Sequence, residues 1–257
     1  MSDSSTPEAG KDRAFVNGLA RGLKVLASFS PNQIRMSLGD LAQATGLPKS
    51  TVARLVHTLV KLGYIYVCRE TGRYSLHPRV LSLGYPVMAS MDKRLVALPM
   101  MQELADYSRG TVSLGIRDGL SMILIERSRD RTVRALPLDV GSRIPMESTS
   151  MGHAYFAATN PEEQTDILKE FKAHDPARFA EVERTLRAAQ KEYDEKGFCT
   201  SVGTWEDDVN AVGAAVELSN DVLAAFNCGG PATRITEESL PDLGVRLADL
   251  ARHFQTA

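Results

Sequence analysis

The chain has 257 residues, a length that favours two domains of modest size over a single one. Its composition, 43% hydrophobic and 24% charged, is that of an ordinary globular protein. No stretch approaches the ~20 consecutive apolar residues of a membrane helix, so no membrane partner is expected. Three scattered cysteines exclude a disulfide framework and favour a reducing cytoplasm.

The charge is divided unevenly along the chain. Residues 1–14 are rich in Ser, Pro and charge and lack the apolar core of a signal peptide, so they are predicted to form a disordered arm. Residues 1–80 carry 11 Lys and Arg against 5 Asp and Glu, net +6, and residues 81–257 carry 19 against 27, net −8. Unless the asymmetry is chance, a basic head on an acidic body indicates a polyanion-binding module joined to a second function.

Three helical patterns follow in chain order. The first covers residues 18–29, and its predicted buried face is Leu19, Leu23, Leu26 and Ala27. The second begins at Ser37, where Asp40 three residues on makes a capping-box-like start, and it ends at Gly46. The third begins at Pro48, which the first turn of a helix tolerates, and it ends at Gly63.

The second and third patterns together form a helix-turn-helix: a short helix, a tight turn containing Gly, and a helix with a polar, basic start. A recognition helix enters the major groove with its N-terminal end leading, so its early polar residues are expected to touch DNA. The residues of this helix predicted to bind DNA are Lys49, Ser50, Thr51, Arg54 and His57. The alternative is an ordinary corner between two helices with a solvated face.

The segment that follows, "YIYVCRETGRYSLH", predicts two strands joined by a turn that contains Gly72. Directly after a recognition helix such a hairpin is a wing, and Arg69 and Arg73 at its tip are predicted to reach the minor groove or the DNA backbone. For Arg73 alone, a turn-stabilising surface role is the alternative. The winged helix-turn-helix domain is assigned to residues 15–78.

With these motifs in place, the chain resembles the IclR-type bacterial transcription regulators. The resemblance rests on "LARGLKVLASF", "LGDLAQATGLPKSTVARLVHTLVKLGYI" and "ETGRYSLHPRVLSLG", and it continues more loosely to cover about residues 15–255. It implies a winged helix-turn-helix domain followed by a GAF-like α/β sensor domain for a small molecule. It also implies a protein that works as a dimer or a tetramer.

Residues 79–93 are predicted to form a linker helix, and residues 94–257 an effector-binding and oligomerisation domain. Pro86 and Pro99 are expected to interrupt the helical spacing of this region. The strands predicted next are "TVSLGIRDGLSMILIERS", which holds two around an Asp-Gly turn, then "TVRALP", "GFCTSV", "VNAVGAAVELS" and "VLAAFNCGG". Helices are predicted over residues 149–159, 161–171, 177–196 and 236–254. Strands interleaved with helices predict an α+β fold, with a sheet covered on one side and a cup on the other.

Catalysis and metal binding have little support in the sequence. It contains no phosphate loop, no GxSxG and no dinucleotide fingerprint, and its histidines have no zinc-type spacing with the cysteines. No cofactor, catalytic residue or metal site is therefore predicted. One set, Cys199, Cys228 and His153, could meet in space, although buried strand cysteines are the plainer explanation.

The resemblance also implies an effector site, carried over from three separate segments. In "PMESTSMGHA" a loop leads into a helix whose first N–H groups would hold a carboxylate. The residues carried over are Ser148, Ser150, Met151, Gly152, Ser201, Trp205, Asn210, Asn227 and Gly229. Trp205, the only tryptophan, is either a wall of an aromatic or apolar ligand site or a core anchor for its loop. Since these segments contain no arginine, backbone N–H groups and not a buried Arg are expected to hold the carboxylate.

The predicted function is therefore ligand-responsive transcription regulation. The protein is expected to bind double-stranded operator DNA as a homodimer or homotetramer, to sense a small organic acid, aromatic acids included, and to control a catabolic operon. Two rivals stay open at this point. One is a metabolite-converting enzyme with a DNA-binding head, and the other is a DNA-binding architectural protein with no ligand.

Overall fold

The structure is a computed structural model that describes residues 14–90, 94–130, 138–218 and 222–256. The chain divides into two compact units, with the boundary between Val87 and Met88. Nearly all of the predicted N-terminal arm, residues 1–14, lies outside the described residues.

The first unit is a small helical bundle with a hairpin. Its elements are α1 (Asn17–Leu26), α2 (Leu38–Thr45), α3 (Lys49–Lys61), β1 (Ile65–Val67), β2 (Tyr74–Leu76), a short 3₁₀ turn (Pro78–Val80) and α4 (Leu81–Ser90). The predicted capping box starts α2: the Asp40 N–H donates to the Ser37 hydroxyl at 3.2 Å, and the Asp40 carboxylate accepts from the Ser37 N–H at 2.9 Å. Gly46 ends α2 with a φ of 66°, which favours glycine.

The core of the first unit differs from the sequence expectation at α1. The helix stops at Leu26, three residues earlier than predicted, and buries Val25 completely. Leu19 and Leu23, predicted to face inward, are 64% and 54% exposed. The helical period identified residues that share a face, but packing against α3 uses the neighbouring face. Pro48 also lies one position earlier than predicted, as the N-cap of α3.

The second unit is built on one antiparallel sheet. Its strands are β3 (Thr111–Asp118), β4 (Ser121–Arg129), β5 (Arg143–Pro145), β6 (Cys199–Val202), β7 (Val209–Leu218) and β8 (Val222–Pro231), in the order β5-β4-β3-β8-β7-β6. Its helices are α5 (Arg94–Ser108), α6 (Ser150–Ala158), α7 (Pro161–His174), α8 (Phe179–Lys196) and α9 (Leu240–Thr256). The α+β class with a helix-turn-helix head is confirmed.

Helices lie on both faces of this sheet, where the sequence predicted a cover on one face only. One core joins α5 and α9 to the sheet through residues such as Met101, Leu247 and Phe226. A second core joins α6, α7 and α8 to the opposite face, with Phe156 fully buried in it. Most of the face predicted to form an open cup is therefore covered by helices, and a cavity remains at the start of α6.

The predicted strand "TVRALP" lies outside the described residues, and the short strand β5 that pairs with β4 was not predicted. Pro86 and Pro99 do not interrupt helices, because α4 and α5 each continue across their proline. Cys199 and Cys228 do not meet, since they belong to the cores on opposite faces of the sheet.

Candidate functional site

The start of α3 presents the polar surface that the sequence predicted. Lys49, Ser50, Arg54 and His57 are exposed, and Thr51 is half-buried. Val52, Val56 and Leu59 hold the opposite side of α3 in the core of the first unit. The apolar stripe thus fixes the orientation of the helix and directs its basic side to solvent.

The hairpin after α3 is a short wing anchored to the bundle. Tyr74 on β2 exchanges two backbone hydrogen bonds with Met36, at 2.8 and 2.9 Å. Arg73 donates to the Asp40 carboxylate and to the Arg35 carbonyl oxygen, both at 3.3 Å. The guanidinium of Arg73 therefore binds the protein itself, whereas Arg69 lies exposed at the tip of the wing.

The second unit contains a cavity between the sheet and the start of α6. The cavity and its open mouth hold about 560 Å³ of empty space. The residues that line it are Thr111, Ser113, Leu124, Arg127, Leu138, Ile144, Thr149, Ser150, Ser201, Trp205, Val209, Ala211, Asn227 and Gly229.

The structure brings together five of the nine predicted effector residues, from three segments far apart in the chain. Ser150 at the start of α6, Ser201 on β6, Trp205 in the loop after β6, and Asn227 and Gly229 on β8 all line the cavity. Trp205 also packs against the core on this face of the sheet, so the two roles predicted for it, wall and anchor, coincide.

The other four predicted residues do not line the cavity, and each has a structural partner. The Ser148 carbonyl accepts a hydrogen bond from the Thr204 hydroxyl at 2.7 Å, which ties the Trp205 loop to the start of α6. Met151 is fully buried in the helical core. Gly152 lies so close to Met146 that an added Cβ would come within 2.7 Å of its carbonyl carbon. The Asn210 amide donates to the Ile235 carbonyl at 2.9 Å.

Some backbone N–H groups at the start of α6 already donate hydrogen bonds to Thr149. Thr149 is the N-cap, and its hydroxyl accepts from the Gly152 N–H at 3.3 Å, while its carbonyl accepts from the His153 N–H at 2.9 Å. The hydroxyl of Ser150, in contrast, is completely buried and has no hydrogen-bond partner among the described residues. A buried hydroxyl in this state is destabilising until a ligand or water satisfies it.

Arg127 is the main lining residue that the sequence did not indicate. Burial lowers the pKa of its guanidinium, and the nearby Arg129 lowers it further, while the Asp139 carboxylate raises it. The expectation that backbone N–H groups, and not a buried Arg, hold a carboxylate was drawn from the three carried-over segments alone, and Arg127 lies outside them on β4.

His153 occupies the back of α6, away from the cavity lining. Its Nε2 lies 2.9 Å from the Glu147 carbonyl oxygen, and burial lowers the pKa of its imidazole. Within the described ranges, no group of three or more His, Cys, Asp or Glu side chains is arranged to hold a metal ion. No described helix is both long and apolar enough to cross a membrane.

Two family models match the chain, one for each unit. The IclR helix-turn-helix domain matches residues 18–67, and the C-terminal domain of the bacterial transcriptional regulator IclR matches residues 86–256. The chain belongs to the IclR family. Membership makes it a DNA-binding transcription regulator with a C-terminal effector-binding domain, and not an enzyme.

Individual relatives agree with the IclR assignment. The chain is 28% identical over 245 residues to the HTH-type transcriptional regulator TsaQ1/TsaQ2 of Comamonas testosteroni, covering 94% of this chain and 88% of that one. It superposes on an IclR family transcriptional regulator from Brucella abortus with a TM-score of 0.84 and 36% identity, over 97% and 96% of the two chains. It shares its fold with an IclR homolog from Microbacterium hydrocarbonoxydans complexed with 4-hydroxybenzoate, at TM-score 0.71 and 21% identity over 93% and 98%.

Proposed function

We propose that this protein is a ligand-responsive regulator whose second unit senses a small organic acid and whose first unit binds the operator of a catabolic operon. The observation that carries the sensing role is the cavity at the start of α6. It combines the Arg127 guanidinium and a buried Ser150 hydroxyl, which has no partner among the described residues, with further polar and apolar lining side chains. The 4-hydroxybenzoate complex of the Microbacterium homolog supports an organic acid as the ligand class.

On the DNA side, we assign operator contact to Lys49, Ser50, Thr51, Arg54 and His57 of α3, with Arg69 and Arg73 on the wing. The exposed, basic start of α3 supports insertion into the major groove. Arg73 is also paired with Asp40, and this ion pair holds the wing in the position from which Arg69 and Arg73 reach the DNA. In this proposal residues 15–78 bind DNA, residues 79–93 form the linker, and residues 94–257 bind the effector and mediate oligomerisation.

The protein acts in this proposal as a homodimer or homotetramer on a palindromic operator in the cytoplasm. Large apolar side chains exposed on the first unit support self-association: Leu19 and Leu23 on α1, and Leu81 and Tyr85 on α4, are 54–75% exposed in the single chain. A dimer would cover such surface and would match the two-fold symmetry of a palindrome.

A thermal-shift screen of small carboxylic acids on the full-length protein tests the sensing role. An acid that binds only the folded state stabilises it by about 2.7 kcal/mol at a concentration of 100 Kd, so hits raise the midpoint clearly. Hits are then tested for a change in affinity for a DNA fragment that the protein itself selects from a random library. If no acid changes either the midpoint or the DNA affinity, the protein does not sense organic acids and the architectural role replaces this proposal.

A further inference from the structure

Arg79 connects the end of α3 to the start of α4. Its guanidinium donates from Nη1 to the Leu62 carbonyl oxygen at 2.9 Å, and Leu62 is the C-cap of α3. The last carbonyl groups of a helix lack partners within the helix, and a cationic donor there also interacts favourably with the helix dipole. Arg79 therefore caps the recognition helix from a position 17 residues further along the chain.

Two further contacts hold the Arg79 side chain, although it is exposed. The guanidinium carbon lies 5.4 Å from the centroid of the Tyr64 ring, which is a cation–π contact. Gly63 leaves room for the guanidinium, because an ideal Cβ at position 63 would lie 3.3 Å from Nη1 and 3.8 Å from Cδ of Arg79. The side chain is thus held by three consecutive residues, 62–64, at the point where the chain leaves α3.

The backbone of the same residue organises the start of the linker. The Arg79 N–H donates to His77 Nδ1 at 3.1 Å, and the Arg79 carbonyl accepts from the Ser82 hydroxyl at 2.7 Å. The His77 N–H in turn donates to the Tyr64 carbonyl at 2.8 Å. The 3₁₀ turn and the first residues of α4 are therefore hydrogen-bonded within themselves and to the segment that follows α3.

The direction of α3 decides which base edges its N-terminal residues can reach. The helix has 13 residues and is about 20 Å long, so a rotation of about 10° at its C-terminal end moves its N-terminal end by about 3 Å. Hydrogen bonds to base edges span about 2.7–3.2 Å and do not survive such a movement. Contacts to phosphates carry no sequence information, so their adjustment does not restore specificity.

We propose that Arg79 is a positioning residue for operator recognition, which holds the C-terminal end of α3 against the start of α4 and so fixes the direction in which α3 enters the groove. The apolar stripe of α3 decides which side of the helix faces solvent, and Arg79 acts on the direction of its axis. In this role Arg79 acts through α3 and does not itself contact DNA. The inference rests on the operator contact proposed above for α3.

Arg79→Met tests this role in the full-length protein, because methionine keeps an unbranched side chain but has no donor for the Leu62 carbonyl. The two probes are the duplex that the protein selects from a random library and a duplex of the same length and composition with a shuffled sequence. The quantity measured is the ratio of the two affinities at several salt concentrations. Arg79→Met is expected to lower this ratio about tenfold and to leave the salt dependence unchanged, since misplaced base contacts weaken only the selected duplex.

Lys61→Met is the matched control. It removes one positive charge from an exposed position in the last turn of the same helix, and it is expected to keep the ratio of the two affinities.

A second variant keeps the test decisive if Arg79→Met does not fold. Tyr64→Leu removes the ring beneath the guanidinium and keeps every charge of the first unit, so a changed ratio in this variant does not arise from a lost phosphate contact. A cation–π contact at an exposed site is weak, and the expected fall in the ratio is about two- to fivefold.

The other outcomes each overturn the inference. If Arg79→Met weakens both duplexes equally and reduces the salt slope by about one, Arg79 is a phosphate contact and not a positioning residue. If the unfolding midpoint falls while the folded variant keeps the ratio, Arg79 only stabilises the first unit. An unchanged ratio in Arg79→Met and in Tyr64→Leu has the same consequence.

The results also separate this inference from the operator contact on which it rests. If Arg54→Ala leaves the affinity for the selected duplex unchanged, the contact proposed for α3 is wrong. If Arg54→Ala weakens that affinity while the ratio survives in Arg79→Met and Tyr64→Leu, the contact by α3 stands and the positioning role alone is wrong.

Discussion

Replacing Gly213 with Ala is expected to damage the ligand site through a single methyl group. An ideal Cβ at position 213 would lie 2.9 Å from the Met151 nitrogen and still closer to the Ser150 carbonyl group. Non-bonded carbon contacts are most favourable at roughly 3.5–4.0 Å, and the obstructing atoms are backbone, so the first turn of α6 must move away from the sheet. That movement separates Ser150 from Asn227, which pairs with Gly213 and also lines the cavity.

The expected cost is that of overpacking a core, about 1–3 kcal/mol in the free energy of unfolding. Gly230→Ala is the matched control in the adjacent strand β8. Its added Cβ would have Ile235 Cδ1 as nearest neighbour at 3.4 Å, an ordinary contact. The control is therefore expected to be neutral or to gain about 0.4–1 kcal/mol from reduced freedom of the unfolded chain.

Urea unfolding followed by Trp205 fluorescence measures both variants. Trp205 is the only tryptophan and lies in the second unit, so the signal reports that unit alone. A lower midpoint at unchanged slope signifies a loss of stability, and titration of the same samples with an acid found in the thermal-shift screen measures the ligand site. A Gly213→Ala midpoint equal to that of Gly230→Ala would show that α6 does not rest on β7 as the structure has it.

Three further outcomes are expected. Arg54→Ala should weaken operator binding by about 1–3 kcal/mol if its guanidinium reads a base, and unchanged affinity in a gel-shift titration would remove Arg54 from the interface. Operator affinity should fall steeply with salt because phosphate neutralisation releases counterions, whereas a flat dependence would argue against the basic head as the DNA-binding surface. One thiol, Cys68, should react quickly with a thiol reagent in the native protein, since hydrogen bonding from Thr71 lowers its pKa. Burial raises the pKa of Cys199, and it raises that of Cys228 to about 11, so fewer of these thiols are ionised at neutral pH; fast reaction of all three would contradict this.

Local signals in the sequence were sufficient for most of the secondary structure. The Ser37 capping box and the Gly46 terminus each depend on residues a few positions apart, and both were predicted and are present. The hairpin turn at Asp118-Gly119 and the long amphipathic helix α8 were predicted for the same reason. Periodicity was less informative about which side of an element is buried, because that depends on a partner distant in the chain. Leu19 and Leu23 of α1 show this limit.

The candidate ligand site also depends on contacts between residues that are distant in the chain, which local sequence signals do not reveal. Ser150, Ser201 and Asn227 were found because the family resemblance supplied the three-dimensional neighbourhood that the spacing in the chain does not contain. Arg127 was missed because its orientation depends on one extra residue in β4, and a bulge of this kind leaves no mark in the alternation of apolar residues. The bulge turns every later residue of β4 to the other face of the sheet. The pairing between β3 and β4 therefore decides whether the Arg127 charge lies on the cavity wall. A change that removed the bulge would therefore direct the Arg127 side chain away from the cavity, and the chemistry of this site is set as much by strand register as by side-chain identity.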